Sequence, residues 1–506
     1  MSTSSTNDFS INNVVHADTP DPRRWFALFV IAIAQLMVVL DASIVNIALP
    51  HAALPAAQGG LNIASKNYQW AITAYLLTFG GLLLLGGRIG DYAGRKKVFL
   101  IGLTGFAGAS LLGGFAQNQG MLFGARALQG VFGALLAPAA LSLISVTFTE
   151  SKERAKAFAV YGALSGVGAA IGLIAGGLLT QYLSWRWCLF VNTPMALIAL
   201  VLAIPNLRES KVEGDTRYDV PGAISVTVAM VAIVFGVNQA SSDGWGSIQA
   251  WPFMIGGALL LGFFFWLETK VSHPLLPLRL ITDRIRGGAY VSQLLVGLGL
   301  YGFFLFMTFY FQTVHGYSAV KTGLCFLPFS IGIIVSAGSA GQFLPKFGPR
   351  PIATTGLTMA AAGLFLLSRM QANSSYVAHI LPYMLLMSLG LGMTFVAVSS
   401  TALFNLQPHD TGAAAAVLNT TQQVGGSFGT ALQSTIAVSA TSAFLISRVH
   451  GSVSMALHNA ALVHGYDRAF VVGSLILLAG AASFFLLVNV DRHHLGQHDS
   501  PVGIGH

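Results

Sequence analysis

Fourteen apolar runs, each parted from the next by a short polar or basic break, fill most of this 506-residue chain. They lie near 25–49, 68–87, 98–116, 121–147, 157–180, 186–205, 220–240, 250–268, 287–313, 320–344, 350–369, 377–402, 411–442 and 466–490. A helix needs about 20 mostly apolar residues to cross the hydrocarbon core of a bilayer. Inside lipid every backbone polar group must find its partner within the element, which leaves helices or a closed barrel. Runs of this length read as helices. Composition agrees: 54% of residues are hydrophobic and only 9% are Asp, Glu, Lys or Arg, against about 25% charged in soluble domains. A soluble globular protein and a disordered chain are both excluded. The thirteenth run carries Asn419, Thr420, Thr421, Gln422 and Gln423, so it must face protein or water rather than lipid. Residues 1–24 are polar and read as disordered, without the order of a cleaved signal peptide.

Basic residues set the orientation. With the N-terminus in the cytoplasm and strict alternation, the inner side receives Arg23, Arg24, Arg88, Arg95, Lys96, Lys97, Lys152, Arg154, Lys156, Arg208, Lys211, Arg217, Lys270, Arg279, Arg284, Arg286, Lys346, Arg350 and Arg492. The outer side receives only Lys66, Arg186, Lys321, Arg369, Arg448 and Arg468. This bias predicts an even number of spans with both termini cytoplasmic. It also accounts for the net charge of +8 without nucleic acid.

Two loops repeat. Residues 87–96 read Gly-Arg-Ile-Gly-Asp-Tyr-Ala-Gly-Arg-Lys, and residues 341–350 read Gly-Gln-Phe-Leu-Pro-Lys-Phe-Gly-Pro-Arg. Both carry Gly at positions 1 and 8 and a base at position 10, and both follow the second helix of a set of six. The expected organisation is a cytoplasmic N-terminus (1–24), a six-helix half (25–206), two inserted helices with their linkers (207–286), a second six-helix half (287–490) and a cytoplasmic tail (491–506). Duplicated halves are a plan of secondary transporters, with the substrate site near mid-membrane between them.

The motifs now resemble a known family. Gly87 to Lys96, with Asp91, Gly94 and Arg95, resembles the loop between helices two and three of the major facilitator superfamily. Leu40-Asp41 through Asn46 to Pro50 resembles the first-helix motif of its fourteen-helix drug:proton antiporter branch. Leu122 to Gly130, with Arg126, resembles the fourth-helix motif, and Trp185-Arg186-Trp187 through Asn192-Thr193-Pro194 fits the same branch. The resemblance runs from about residue 25 to 490. It implies the all-α major-facilitator fold of fourteen helices and proton-driven export of hydrophobic, often cationic compounds. The bacterial cytoplasmic membrane is the expected location, with an amphiphilic small molecule, protons and the lipid bilayer as partners and no cofactor. The chain is expected to be monomeric. One motif departs. The fifth helix of antiporters carries Gly-Pro, and here Leu173 stands where that proline would be. Gly168, Gly172 and Gly176 keep their spacing beside Gly177, so close helix packing is expected to survive.

Ionisable groups inside spans are costly and point to function. At ~1.5 Å per residue, Asp41 lies ~12 Å below the outer end of helix one and Arg126 ~8 Å below that of helix four. Similar depths predict that the two meet, directly or through water. An Arg neighbour favours the charged carboxylate and burial disfavours it, so a balanced site can take up a proton and release it. Substrate and proton would then compete for one carboxylate. The alternative is a structural ion pair that never titrates. On the family resemblance, Gly87, Asp91, Gly94 and Arg95 are gating candidates; Lys96 and Lys97 read equally well as inner-face anchors. Exporters of apolar cations need aromatic faces and a few polar groups. Asn46, Trp70, Tyr75, Tyr301, Tyr310, Gln312 and Asn419 are the binding candidates, although an aromatic stripe is more often core than pocket.

No phosphate-cradling Gly-x-x-x-x-Gly-Lys-Ser/Thr loop is present, so ATP is not the expected energy source. No Cys/His set has zinc spacing, Cys188 and Cys325 sit in apolar runs, and no catalytic cluster marks an enzyme. A dedicated exporter of one metabolite or antibiotic, or a proton symporter, stands as the alternative.

Overall fold

The computed structural model describes residues 22–148, 150–210, 219–243, 248–271, 274, 276, 278–404, 411–448 and 454–489. Among them are fourteen long helices. The first six are α1 (Arg24–Ala53), α2 (Trp70–Ala93), α3 (Arg95–Gly114), α4 (Gln119–Thr147), α5 (Ser151–Tyr182) and α6 (Trp187–Asn206). Two follow, α7 (Val220–Asp243) and α8 (Ala250–Glu268). The last six are α9 (Arg284–Val314), α10 (Ala319–Phe347), α11 (Pro349–Leu367), α12 (Tyr376–Ala402), α13 (Thr411–Arg448) and α14 (Met455–Leu487). Eleven of these are long and apolar enough to cross a membrane; α2, α5 and α7 carry shorter apolar stretches, Trp70–Leu83, Gly168–Tyr182 and Pro221–Val237.

Helix ends follow local chemistry. The Asn118 side chain accepts from Met121 N at 2.9 Å and starts α4. Asp283 accepts from Arg286 N at 2.9 Å and starts α9. Each satisfies one of the orphan donors of a first turn. Gly348, at φ +77°, and Pro349 break α10 from α11. Two π-helical turns, Tyr310–Val314 and Tyr376–Ile380, lie at the same end of the bundle. This far end is opposite the basic end, where Arg88, Arg95, Lys346 and Arg350 sit.

Packing repeats between the first six and last six helices. In the first set α1 packs on α5 and α6, α2 on α4, and α3 on α4 and α6. In the last set α9 packs on α13 and α14, α10 on α12, and α11 on α12 and α14. These are the same five pairings at an offset of eight. The sets meet where α2 touches α13 and α5 touches α10, which is again a symmetric exchange. The inserted α7 and α8 pack on each other, with α7 also against α2 and α13. Thr227 of α7 donates to the Gly81 carbonyl of α2 at 3.0 Å.

The repeated loops do the same structural job. Lys96 Nζ donates to Ile204 O at 2.7 Å, two residues before the end of α6. Arg350 Nε donates to Phe485 O at 2.8 Å, two residues before the end of α14. The base at position 10 thus caps the last helix of its own set in both cases, where a cation also meets the negative end of the helix dipole. At the same end Arg24 donates to Glu153 through Nε (2.7 Å) and Nη2 (2.9 Å), tying α1 to α5. That hydrogen-bonded guanidinium holds the Glu153 carboxyl below the usual carboxylate range.

Glycines set the closest approaches. Gly168 meets Leu36 and Val39, Gly172 meets Leu40 and Ser43, and Gly176 meets Ile44, so all three face α1. Gly177 points the other way, and a Cβ there would lie 2.7 Å from Ala319 O of α10. Gly323 of α10 in turn abuts the Leu173 carbonyl. Leu173 is buried at this crossing, and the helix runs through it unbroken. A bulky side chain on Gly323 must push α10 off α5. Gly323→Val is expected to cost about 1–3 kcal/mol, the usual penalty for overpacking, read as a lower melting midpoint of the purified protein in detergent.

Candidate functional site

Asp41 and Arg126 meet inside the first six helices. Arg126 Nη1 lies 2.5 Å from Asp41 Oδ2, and the two side chains are 2% and 0% exposed respectively. The other carboxylate oxygen, Oδ1, accepts from Gln129 Nε2 at 2.8 Å and from Asn192 Nδ2 at 2.7 Å. Arg126 donates also to Gln129 Oε1 (2.8 Å) and, through Nε, to Ala71 O (3.0 Å). Both amides donate on to Ser110 Oγ, Gln129 at 2.7 Å and Asn192 at 3.3 Å. The Tyr75 ring lies beneath the guanidinium, 4.5 Å from centroid to Cζ. Five helices therefore contribute: α1 the acid, α4 the base and Gln129, α2 Tyr75, α3 Ser110 and α6 Asn192.

Local sequence explains the convergence. Arg126 and Gln129 are three apart on α4 and share a face. α6 is interrupted at Val191, and Asn192 opens its second segment. A buried charge pair persists only when its remaining donors and acceptors are satisfied, and this shell does that for the carboxylate and for three guanidinium bonds. Beside it, on the far-end side, is a cavity of about 20 Å³ lined by apolar groups including Val45, Ala71, Leu122 and Trp185. It has room for about one water.

The hydrogen-bond partners of Asp41 belong to the first six helices, and the carboxylate is sealed from solvent.

The other binding candidates scatter. Tyr75 joins the site. Tyr301 donates to Gln423 Oε1 of α13 at 3.0 Å. Asn46 and Asn419 donate to carbonyls of their own helices, Ala42 O at 3.0 Å and Ala415 O at 3.1 Å. Trp70 turns to α7, its ring 6.3 Å from that of Phe235. The buried Tyr310 donates to Gln371 O at 2.6 Å, within a ring cluster holding Phe311 and His315. Gln312 crosses to α1 and donates to Ile47 O at 3.0 Å. The aromatic stripe of α9 is core: Phe303 packs on Phe326 and Phe329 of α10 and Phe470 of α14.

The gating candidates contact their own helix set. Gly87 packs near Pro138 of α4. Gly94 adopts φ +107°, and the Glu209 carboxylate fills the space where a Cβ would stand, at 2.7 Å. That carboxylate accepts from Lys96 N and Lys97 N, both at 3.0 Å, and caps α3. Arg95 N donates to Ser210 O at 3.0 Å. These bonds clamp the loop to the segment after α6. The Asp91 side chain lies outside the described residues. Sequence reasoning missed Glu209, and it missed Ser110, Gln129 and Asn192 as partners of Asp41. Gln129, at the helical spacing of three from Arg126, was the one with a usable signal.

Comparison with known proteins follows the geometry. The sequence profile of the Major Facilitator Superfamily matches residues 31–430. The chain is 48% identical over 465 residues to the puromycin resistance protein of Streptomyces alboniger, covering 91% of each. It is 35% identical to the cephamycin export protein of Amycolatopsis lactamdurans, over 82% of this chain and 85% of that one. It is 33% identical to the tetracenomycin C resistance and export protein of Streptomyces glaucescens, over 81% and 75%. In fold it resembles a bacterial homolog of the human lysosomal transporter Spinster, crystallised inward-facing and unoccupied, with TM-score 0.64, 14% identity, and 94% and 98% of the two chains covered. The chain belongs to the major facilitator superfamily. It is a multi-pass membrane protein of a family of small-molecule transporters rather than enzymes.

Removing Arg126 leaves a carboxylate buried without its counter-charge. Arg126→Leu is expected to cost about 3–5 kcal/mol at neutral pH, read as a drop in melting midpoint. Adding Asp41→Asn should restore most of it, because the two changes share one interaction. Glu209→Ala uncaps α3 and should cost about 1 kcal/mol by the same measurement.

Proposed function

We propose that the protein exports hydrophobic or cationic small molecules across the bacterial cytoplasmic membrane in exchange for protons. The observation that carries this reading is the sealed Asp41–Arg126 pair inside a transporter fold. A carboxylate buried in a membrane domain is a default candidate for proton relay. The functions of the relatives, resistance to puromycin and export of cephamycin and of tetracenomycin C, support export as the direction. They also favour a second reading, a dedicated exporter of one antibiotic or metabolite.

In this proposal all fourteen helices cross the membrane, both termini are cytoplasmic, and the basic end faces the cytoplasm, in keeping with the distribution of Lys and Arg. The first six and last six helices are the two moving halves, α7 and α8 are an insertion, and the protein acts as a monomer. At the far end the halves are joined by the Gln312–Ile47 hydrogen bond, the stacked Tyr68 and Phe309 rings at 4.5 Å and the Gly177 and Gly323 crossings. That arrangement fits a state closed to the outside. Tyr75, Tyr301, Asn46 and Asn419 are the side chains we assign to the substrate path, and the proton gradient is the energy source with no cofactor.

The test uses purified protein in lipid vesicles with an imposed pH gradient. Ethidium transport by the wild type should collapse on adding a protonophore. Asp41→Asn, compared at equal amounts of folded, reconstituted protein, should reduce gradient-driven transport to the level of protein-free vesicles. Full gradient-driven transport by that variant would remove Asp41 from the mechanism.

A further inference from the structure

A group that takes up a proton needs partners suited to both of its forms. A charged carboxylate only accepts hydrogen bonds, while a carboxylic acid also donates one and needs an acceptor for it. This inference rests on the proton-coupled reading above, and it concerns which atom serves the second form.

Around Asp41 the charged form is served completely. Oδ2 faces the guanidinium, and Oδ1 accepts from two amides. Oδ1 is the oxygen to protonate, since Arg126 stays on Oδ2. The acid proton then points toward Gln129 and Asn192, and the two differ. Gln129 has both ends engaged: Oε1 accepts from Arg126, and Nε2 donates to Asp41 and Ser110. Asn192 uses only its nitrogen. Its Oδ1 is buried and has no hydrogen-bond partner, and the residue is 0% exposed. A fully buried amide oxygen without a partner costs free energy. Here it lies on the side chain that already touches the atom that would carry the proton.

We propose that Asn192 is the positioning residue that follows the protonation of Asp41. With Asp41 charged, Asn192 donates from Nδ2, as seen. When Asp41 Oδ1 gains a proton, the Asn192 amide turns by half a circle, and Oδ1 accepts the new O–H. The two N–H···O bonds from Nδ2, to Asp41 and to Ser110, are lost; O–H···O bonds to Oδ1 from the Asp41 acid and from the Ser110 hydroxyl, which can donate as well as accept, replace them. One atom of the amide is unpaired in either orientation, so neither orientation satisfies the whole amide, and the protonation of the carboxyl group decides between them. The other groups facing Asp41 do not compete for this role. Arg126 from α4 has no acceptor. Tyr75 from α2 lies under the guanidinium. Ser110 from α3 receives both amides. Cys188 from α6 is held by Thr180, and α5 presents Gly172 and Gly176 to α1.

The experiment is infrared difference spectroscopy of the full-length protein in lipid between high and low pH. In the wild type we expect a protonated-carboxyl C=O band that is lost in Asp41→Asn. An asparagine side-chain carbonyl band should change with it, and should move when asparagine carries a ¹³C amide. Asn192→Leu, close in size, should shift the carboxyl band to higher frequency and abolish the asparagine change. Asn192→Ser, whose hydroxyl can accept, should bring the carboxyl band back toward the wild type. A carboxyl band with no accompanying asparagine change in the labelled wild type, or one unmoved in Asn192→Leu, overturns the role of Asn192 and leaves proton coupling standing. Absence of any band that depends on Asp41 overturns the proton-coupled reading and this inference together.

Discussion

Burying charge in a medium of low dielectric is the constraint on which this protein is organised. Taking a carboxylate out of water carries an idealised cost on the order of 20 kcal/mol, and several kcal/mol remain after relaxation. The first six helices meet that cost by converging. One acid on α1 draws a base and an amide from α4, an amide from α6 and a ring from α2, with a serine from α3 behind the amides. Each partner fixes one helix against another, so a single carboxylate ties five of the six helices of its half together. The last six helices repeat the pairings, and among the described residues they show no such centre. Their interior is joined by rings and amides, as in the Phe303 cluster and in Gln433, whose Nε2 donates to Leu298 O at 2.6 Å.

Much of this was legible in the sequence for physical reasons. Apolar runs report helices because lipid tolerates little else. The depths of Asp41 and Arg126 brought them together because helical rise is regular and charge inside a span is scarce. The repeated loop was visible because glycine and a base at fixed spacing are needed where a helix ends and another begins. The rest was hidden by chemistry that does not announce itself. Ser110 and Asn192 are neutral polar residues on apolar helices, a type that bonds its own backbone as often as another helix, as Asn46 and Asn419 do. Trp70 and Tyr310 looked like pocket residues by type, yet Trp70 packs on the inserted pair and Tyr310 on a loop carbonyl. Residue type does not reveal which face of a helix meets a neighbour. Glu209 sits in a polar linker where an acid carries no sequence signal, and only the fold sets it on the first turn of α3.

The repeated loops also separate two roles that one motif can suggest. The bases at position 10, Lys96 and Arg350, reach the last helix of their own half. Glu209 fastens Gly94 and the backbone after it to the end of α6. These bonds stiffen each half internally. For motion by rocking of two bodies, such stiffness lets a displacement near Asp41 travel as a whole instead of dissipating in a loop.

The far-end closure has a consequence of its own. Its named contacts are an amide on a carbonyl, two stacked rings and backbone carbonyls resting on glycines. None of these separates opposite charges when it parts. Electrolyte screens charges beyond a Debye length of about 8 Å at physiological strength, and it has nothing to act on in such contacts. A seal of this kind holds equally in dilute and in saline surroundings.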